Sequence, residues 1–297
     1  KKRFEEYEDE LLRAFAEGNG PDIFSVHNTW LGTYQGLATP MPDSVELVYQ
    51  EVTGGLQSEV IAVIREEDTM SIRDLETNFV DVVAEDVVRP YQEDSQSATE
   101  DKIWALPYSV DTLALFYNKD ILNSEGIAEP PRSWKEFQEA VQEISLLDLN
   151  GGIVQSGAAL GTTDNVERAF DIVSVLMMQN GTPMTSSYGK ASFTEVPEGS
   201  SSRIPPALSA LEFYTDFANP VKVVYSWNDD MDSSFDEFAN GTTAFFLGYS
   251  YHIPLLRAQS PKLNFDIAPL PQISDSRTVN YANYWVETVS KDSDNSD

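Results

Sequence analysis

The chain is an acidic polypeptide of 297 residues, in which 49 Asp and Glu residues outnumber 19 Lys and Arg residues and give a formal net charge of −30. This charge excludes sequence-independent binding to nucleic acid and repels the anionic inner face of a membrane. With 41% hydrophobic and 11% aromatic residues, the chain is also too apolar for a disordered acidic tail. Its length suits two domains that each bury a core.

A net charge this far from zero destabilises a compact fold by self-repulsion unless counter-ions screen it. The charge therefore favours a saline, extracytoplasmic setting, and the alternative is an ordinary acidic protein with a solvated acidic surface. The chain has no cysteine, which excludes disulfides, thiol catalysis and cysteine-containing metal sites. His27 and His252 are too few for a histidine-rich metal cluster. The sequence thus predicts neither a metal nor a cofactor.

The first half of the chain alternates between helical and extended patterns. Apolar residues at helical spacing predict an amphipathic helix over residues 4–16, and the turn at 18–21 leads into a short buried strand at 22–26. Residues 40–73 fit a helix and a strand equally well, and residues 79–87 return to helical spacing. A helix, a tight turn and a strand in this order indicate an α/β layer.

Two extended runs follow at residues 103–108 and 112–117, and the second is apolar enough to be buried on both faces or to cross between domains. Ser133 and Glu136 form a capping box, which predicts a helix from there to about residue 147. The remaining predicted elements are helices at 165–179, 206–217 and 235–239, the last ended by a glycine cap at Gly241, and a strand at 243–247.

Aromatic residues stand beside small polar residues in five predicted loops. The five loops are His27-Asn28-Thr29-Trp30, Tyr108-Ser109-Val110-Asp111, Tyr225-Ser226-Trp227-Asn228, Gly248-Tyr249-Ser250-Tyr251 and Tyr281-Ala282-Asn283-Tyr284-Trp285. Aromatic faces pack on the apolar C–H faces of a pyranose, while Asp and Asn bind its hydroxyls, so the mixture favours sugar recognition. The alternative for each ring is an ordinary place in the core or at its rim. No nucleophile elbow, P-loop or dinucleotide fingerprint argues for catalysis.

Five further motifs occur in an order that resembles a known family. They are Gly20-Pro21-Asp22-Ile23-Phe24, the run from Ile103 through Asp120, Pro130-Pro131-Arg132-Ser133-Trp134-Lys135-Glu136-Phe137, Phe238-Ala239-Asn240-Gly241-Thr242-Thr243-Ala244 with Gly248, and Phe265-Asp266-Ile267-Ala268-Pro269-Leu270-Pro271. In this order the chain resembles the extracellular solute-binding proteins of ABC importers, in particular the sugar-binding family that includes maltose-binding protein.

The resemblance implies an α/β, two-lobed periplasmic-binding-protein-like fold with an interlobe cleft and crossing hinge strands. It implies an N-terminal lobe of residues 1–110 plus 248–283 and a C-terminal lobe of residues 111–247 plus 284–297. The family begins with a strand and a loop that this chain does not contain, and it continues into further helices beyond residues 290–297. We therefore expect a family member truncated at both ends.

The resemblance also implies the residues that bind the ligand. Asp111 stands where maltose-binding protein has a carboxylate that binds sugar hydroxyls, Asn28 and Trp30 lie in the loop that supplies its charged sugar contacts, and Tyr249 and Tyr251 lie in a loop that supplies an aromatic platform. Amide and indole replace the charged pair, which puts maltose itself in doubt. The full predicted set is Asn28, Trp30, Tyr108, Asp111, Trp227, Tyr249, Tyr251 and Trp285, with no catalytic residue and no metal ligand.

The function implied is that of a non-catalytic receptor, which captures a mono- or oligosaccharide and delivers it to the membrane subunits of an ABC importer. We expect a monomer outside the cytoplasm, in the periplasm or on the outer face of the membrane, with a lipid anchor on a preceding segment as one option. The alternatives are the same fold binding a polyamine or other small solute, and a glycoside hydrolase. One carboxylate in the cleft, Asp111, favours a sugar, whereas three or more would favour an amine.

We expect the free energy of unfolding to rise with salt concentration, because counter-ions screen the repulsion among the excess acidic side chains. Urea unfolding at low and at high sodium chloride measures this change. Equal stability at both salt concentrations would contradict the saline setting.

Overall fold

The computed structural model describes residues 4–53, 59–186, 190–200, 202–274 and 276–294. The chain divides into two compact units, of which unit 1 comprises Lys1–Val110 with Asn283–Asp297 and unit 2 comprises Asp111–Ala282. The chain therefore passes from one unit to the other twice, after Val110 and after Ala282.

The elements before the first crossing are α1 (Phe4–Ala16), β1 (Ile23–His27), α2 (Leu31–Tyr34), β2 (Ala38–Thr39), β3 (Ser44–Thr53), β4 (Glu59–Asp68), α3 (Ile72–Asn78), α4 (Asp81–Val87), β5 (Val88–Tyr91), β6 (Glu100–Ile103) and β7 (Leu106–Pro107). Short 3-10 turns at Asn28–Trp30 and Gln35–Leu37 flank α2.

The elements that follow are β8 (Asp111–Thr112), β9 (Ala114–Asn118), α5 (Lys119–Ser124), α6 (Trp134–Ile144), β10 (Leu146–Leu147), β11 (Ile153–Ala158), α7 (Ala169–Gln179), α8 (Pro206–Asp216), α9 (Ser234–Ala239), β12 (Thr243–Gly248), α10 (His252–Gln259), β13 (Phe265–Pro269), β14 (Ala282–Asn283) and β15 (Trp285–Ser290). Among the described residues, none of the helices combines the length and the apolar character that crossing a bilayer requires.

The main sheet of unit 1 is built around its last strand. β15 pairs antiparallel with β1, from Ile23 opposite Val289 to His27 opposite Trp285, and it also pairs with β2 and β7. Side chains alternate between the two faces of a strand, and Val26 and Val286, which lie opposite each other, are both fully buried. The sheet of unit 1 thus needs residues from both ends of the chain.

Unit 2 contains a five-stranded mixed sheet in the order β10-β11-β12-β9-β13. Every residue of β12 is buried, because strands and helices cover both of its faces and edges. The Phe137 ring on α6 is fully buried and contacts the rings of Trp134, Phe217 and Phe245 at centroid distances of 5.3, 5.8 and 5.1 Å. This aromatic packing joins α6 to the sheet.

The predicted lobe boundaries differ from these units in two segments. Residues 248–282 lie in unit 2 rather than in the N-terminal lobe, because β13 pairs with β9 along five residues. Residues 284–297 belong to unit 1 rather than to the C-terminal lobe, because β15 pairs with β1. The boundary at residue 110 is the same in both divisions.

Several local predictions are confirmed. The first helix and strand lie where the pattern places them, Ser133 and Glu136 form a capping box, and Gly241 follows α9 with a φ of 78°. The helix predicted from residue 165 begins only at Ala169, because Arg168 adopts a left-handed backbone with φ 61°. The ambiguous stretch 40–73 contains two strands, β3 and β4, and the start of α3.

We expect Phe137→Ala to lower the free energy of unfolding of unit 2 by about 3–5 kcal/mol, because the substitution leaves a cavity among rings that cannot collapse fully. Urea unfolding followed by tryptophan fluorescence measures the loss. Phe170→Ala is the matched control, since that ring is 75% exposed, and its effect should stay within about 0.5 kcal/mol. Equal losses in the two variants would contradict the packing described.

Candidate functional site

An aromatic cluster in unit 1 brings together two of the predicted residues. The Trp30 and Trp285 rings meet edge to face at 5.5 Å, and the His27 ring lies 5.8 Å from Trp285 and 6.0 Å from Trp30. Tyr7 and Tyr34 extend the cluster, with the Tyr7 ring 5.6 Å from Trp285 and the Tyr34 ring 6.4 Å from Trp30. The cluster forms because His27 and Trp285 are opposite residues of β1 and β15, and the turn after His27 brings Trp30 back over them.

Hydrogen bonds hold this cluster in place. His27 Nε2 lies 2.6 Å from Asn283 Oδ1, and His27 Nδ1 lies 2.8 Å from Thr29 Oγ1. Because an amide oxygen can only accept, Nε2 carries the proton and Nδ1 accepts from the Thr29 hydroxyl. A hydrogen bond to Glu8 raises the pKa of Tyr34 to about 12, so this ring stays neutral at ordinary pH.

Asn28 faces the interior of unit 1. Its Nδ2 donates to Asp86 Oδ2 over 2.9 Å, and the Tyr284 hydroxyl donates to the same oxygen over 2.5 Å. Burial, followed by the hydrogen bond to Asp86, raises the pKa of Tyr284. The side-chain amide oxygen of Asn28, Oδ1, is buried and has no donor among the described residues. In unit 1, the Asn28 amide therefore bonds to Asp86 and positions the loop before Trp30.

Tyr108 is 92% exposed, and among the described residues its ring has no contact with the rings of the aromatic cluster. It borders an apolar cavity of about 400 Å³ within unit 1, whose walls include Ile23, Met41, Phe79 and Trp104. Sequence reasoning places Tyr108 beside a polar loop and did not predict this cavity. Its apolar walls offer shape rather than hydrogen bonds to a ligand.

In unit 2, the turn after β12 brings Asp111 and Tyr251 together. Asp111 Oδ2 accepts from the backbone N–H and the hydroxyl of Ser250 over 3.0 and 2.7 Å, and its Oδ1 accepts from Thr112 N over 2.8 Å. The Tyr251 ring next to Ser250 is 43% exposed. The pairing of Asp111 with this turn fixes the position of an exposed ring.

A polar network that sequence reasoning missed lies beneath Tyr251. Arg168 binds Asp171 through Nε and Nη2 at 2.7 and 2.5 Å, and the Tyr249 hydroxyl donates to the same carboxylate over 2.8 Å. The guanidinium also lies 5.2 Å from the centre of the Tyr249 ring. Arg168 has a left-handed backbone, which costs free energy in a residue other than glycine and persists only where surrounding contacts enforce it. The helical pattern of residues 165–179 concealed this feature.

His252 links the same turn to Glu167. The backbone N–H of Tyr249 donates to His252 Nδ1 over 2.9 Å, so the proton resides on Nε2, which donates to Glu167 Oε2 over 2.8 Å. The Tyr251 ring lies 4.0 Å from the His252 ring and is stacked on Tyr249 at 6.1 Å. Burial raises the pKa of Tyr251, and Arg168, Glu167 and Asp111 act on its hydroxyl electrostatically.

Two of the predicted ligand residues are packing residues instead. Trp227 and Tyr249 are fully buried within unit 2. The Trp227 indole donates to Asn165 Oδ1 over 3.0 Å, and the Tyr249 hydroxyl donates to Asp171. A fully buried ring has no face to offer a ligand, so the prediction of direct contact is corrected for both. Among the described residues, no group of three or more His, Asp or Glu side chains is placed so that it could hold a metal ion.

Residues 3–297 match the family described as bacterial extracellular solute-binding protein, and the chain belongs to that family. The resemblance predicted from the sequence is thereby confirmed.

Solved structures show the fold. A solute-binding protein of an ABC transporter from Thermotoga lettingae, bound with α-D-tagatose, matches with a TM-score of 0.59 at 20% identity over 99% of this chain and 64% of its own. Maltose-bound MalE3 of T. maritima matches with a TM-score of 0.62 at 21% identity, over 98% of this chain and 62% of its own. UgpB of Mycobacterium tuberculosis, in complex with glycerophosphocholine, matches with a TM-score of 0.64 at 17% identity, over 99% of this chain and 62% of its own.

At these identities the likeness establishes the fold alone, and the α/β fold of the periplasmic solute-binding proteins is confirmed. The chain spans a little under two thirds of the length of each of these proteins.

We expect Asp171→Asn to lower the free energy of unfolding by about 2–3 kcal/mol, because it removes the charged acceptor shared by Arg168 and Tyr249. Urea unfolding measures the loss. Asp266→Asn is the matched control, since Asp266 pairs with Lys119 at an exposed position, and there the loss should be at most about 1 kcal/mol. A loss at Asp171 no larger than the one at Asp266 would contradict the structural role of the network.

Proposed function

We propose that this protein is a non-catalytic receptor that binds a mono- or oligosaccharide and delivers it to the membrane subunits of an ABC importer. The observation that carries the proposal is the half-exposed Tyr251 ring, with Arg168 and Glu167 beside it and Asp111 holding its turn. An aromatic face beside groups that donate and accept hydrogen bonds suits the two kinds of surface on a pyranose. The tagatose and maltose bound by the two Thermotoga proteins are consistent with it.

The aromatic cluster of unit 1 supplies a second set of rings. Trp30 and Trp285 are partly exposed and meet edge to face, which gives unit 1 two indoles that solvent partly reaches. We propose that these two indoles form a separate sugar-contacting surface of unit 1.

The partners of the carboxylates favour a sugar over a polyamine. An amine needs carboxylates whose charge is not already balanced or bound within the protein. Asp111 is bound by Ser250, Glu167 by His252, and Asp171 by Arg168 and Tyr249. These bonds leave the partly exposed Glu167 side chain as an acceptor, and the Arg168 guanidinium already balances Asp171, so the surroundings of Tyr251 suit neutral hydroxyls.

The same partners support binding rather than hydrolysis. Glycoside hydrolysis requires two carboxyl groups about 5–10 Å apart that act on one bond as acid and as base or nucleophile. Asp111 and Asp171 instead fix the protein's own hydroxyl and guanidinium groups. The family description as extracellular is the basis for proposing an extracytoplasmic location, in the periplasm or at the outer face of the membrane, where the protein would act as a monomer.

Isothermal calorimetry with tagatose, maltose, mannobiose and spermidine tests the proposal. We expect at least one sugar to bind and spermidine not to. Tyr251→Ala should weaken sugar binding about tenfold, because it removes a stacking face, whereas Tyr251→Phe should retain most of the affinity.

Phe193→Ala provides the control, since that ring is 40% exposed in unit 2 and lies outside the network around Tyr251. Its affinity should equal that of the unaltered protein. Binding of spermidine alone, or sugar binding that is indifferent to Tyr251→Ala, would contradict the proposal.

A further inference from the structure

A long β-hairpin in unit 1 has no part in the features described above. β3 and β4 run antiparallel over ten residues each, from Ser44 opposite Asp68 to Thr53 opposite Glu59. Among the described strands, these two pair only with each other. The ion pair between Lys102 and Asp43, at 2.7 Å, ties the chain to unit 1 just before β3 begins.

One face of this hairpin is apolar and exposed. Residues directly opposite in an antiparallel pair, and those two positions along a strand, lie on the same face. Val48 is opposite Ile64, Gln50 opposite Ala62, and Val52 opposite Val60. The exposed fractions of Val48, Val52, Val60 and Ile64 are 68%, 70%, 61% and 62%. We call Val48, Val52, Val60, Ala62 and Ile64 the apolar face.

The other face of the hairpin is partly covered by its own side chains. The Arg65 guanidinium lies 5.2 Å from the centre of the Tyr49 ring and is hydrogen-bonded to Glu51. The Tyr49 hydroxyl donates to Glu67 over 2.8 Å, and Tyr49 and Val63 are half-buried. Arginine and glutamate thus cover part of this face, where Leu47 and Ile61 are 41% and 37% exposed, and among the described residues the apolar face has no such cover.

An uncovered apolar face is costly for a structure of this kind. A hairpin of two strands is marginally stable in water by itself and gains stability when a further layer covers its apolar side. Contiguous exposed aliphatic side chains on a sheet typically mark a surface that another chain covers. The exposed aliphatic residues at alternate positions of β3 and β4 therefore indicate that a partner covers the apolar face.

The charges beside the apolar face indicate the chemistry of that partner. Toward the base of the hairpin the same face carries Glu46, Glu66 and Asp68, and the Ser44 hydroxyl donates to Glu66 over 2.6 Å. The one basic residue in the two strands, Arg65, lies on the opposite face. A second copy of the chain, with 49 acidic and 19 basic residues, would add like charge.

We propose that the apolar face is a docking surface for a partner protein that presents an aliphatic strand bordered by lysine or arginine. The aliphatic side chains would pack on the valines and Ile64, and the basic side chains would pair with Glu46, Glu66 and Asp68. Such a surface combines an apolar centre with a charged rim that sets orientation and specificity. The proposal does not depend on the ligand that the protein carries.

The test uses a synthetic peptide of alternating lysine and valine, as long as β3, with a lysine–threonine peptide of equal charge as its control. Binding to the whole protein is measured by calorimetry. We expect the lysine–valine peptide to bind at least about tenfold more tightly than the control peptide. The double variant Val52→Thr with Val60→Thr should lose that difference, and it keeps charge, size and β-branching.

Val221→Thr with Val223→Thr is the matched control, because these valines of unit 2 are 85% and 71% exposed. It should bind both peptides as the unaltered protein does. Far-UV circular dichroism verifies that each variant keeps its fold.

Equal binding of the two peptides would show attraction by charge alone and would overturn the proposal, as would binding unaffected by the hairpin variant. Self-association of the protein in sedimentation, if abolished by the hairpin variant, would identify a second copy as the occupant and also overturn it.

Discussion

The pairing of β1 with β15 is the constraint on which much of this structure depends. β1 lies near the start of the chain and β15 near its end, so the sheet of unit 1 closes only after the chain has built unit 2 and returned. The register of this pair places Trp285 opposite His27 and the buried Val286 opposite Val26. One antiparallel ladder thus assembles the core of unit 1 and the aromatic cluster at its edge. Because the contact joins distant parts of the chain, its formation carries the entropic cost of closing a long loop.

In unit 2 the corresponding constraint is a set of polar contacts around one strained residue. Arg168 takes a left-handed backbone just before α7, and Asp171, three residues later, holds its guanidinium. The same carboxylate accepts the Tyr249 hydroxyl, which connects the start of α7 to the turn after β12. The strain at Arg168 and the burial of Asp171 are therefore offset by bonds that position Tyr251, the exposed ring of the turn.

The sequence was sufficient for the features that depend on local patterns. The first helix and strand, the capping box at Ser133 and the glycine after α9 follow from spacing and cap chemistry over a few residues. It was insufficient where distant pairing or burial decides. Neither spacing nor composition reveals that β15 returns to β1. A turn rich in aromatic and polar residues also reads the same whether its tyrosine faces inward, as Tyr249 does, or outward, as Tyr251 does.

The role of each acidic residue also depends on its surroundings, because hydrogen-bond donors near a carboxylate, rather than the total charge, decide what it does. Asp86, Asp111 and Asp171 each accept hydrogen bonds from neighbouring hydroxyl, amide or guanidinium groups, and so act as structural acceptors within their own unit. The acidic residues on the apolar side of the β3–β4 hairpin are more open to solvent, with Glu66 bound by a single serine hydroxyl. Carboxylates already bound within the fold contribute geometry, whereas those left at a surface contribute a field that selects a basic partner over an acidic one. The same residue type therefore serves to position a ring in unit 2 and to define the charge of a surface in unit 1.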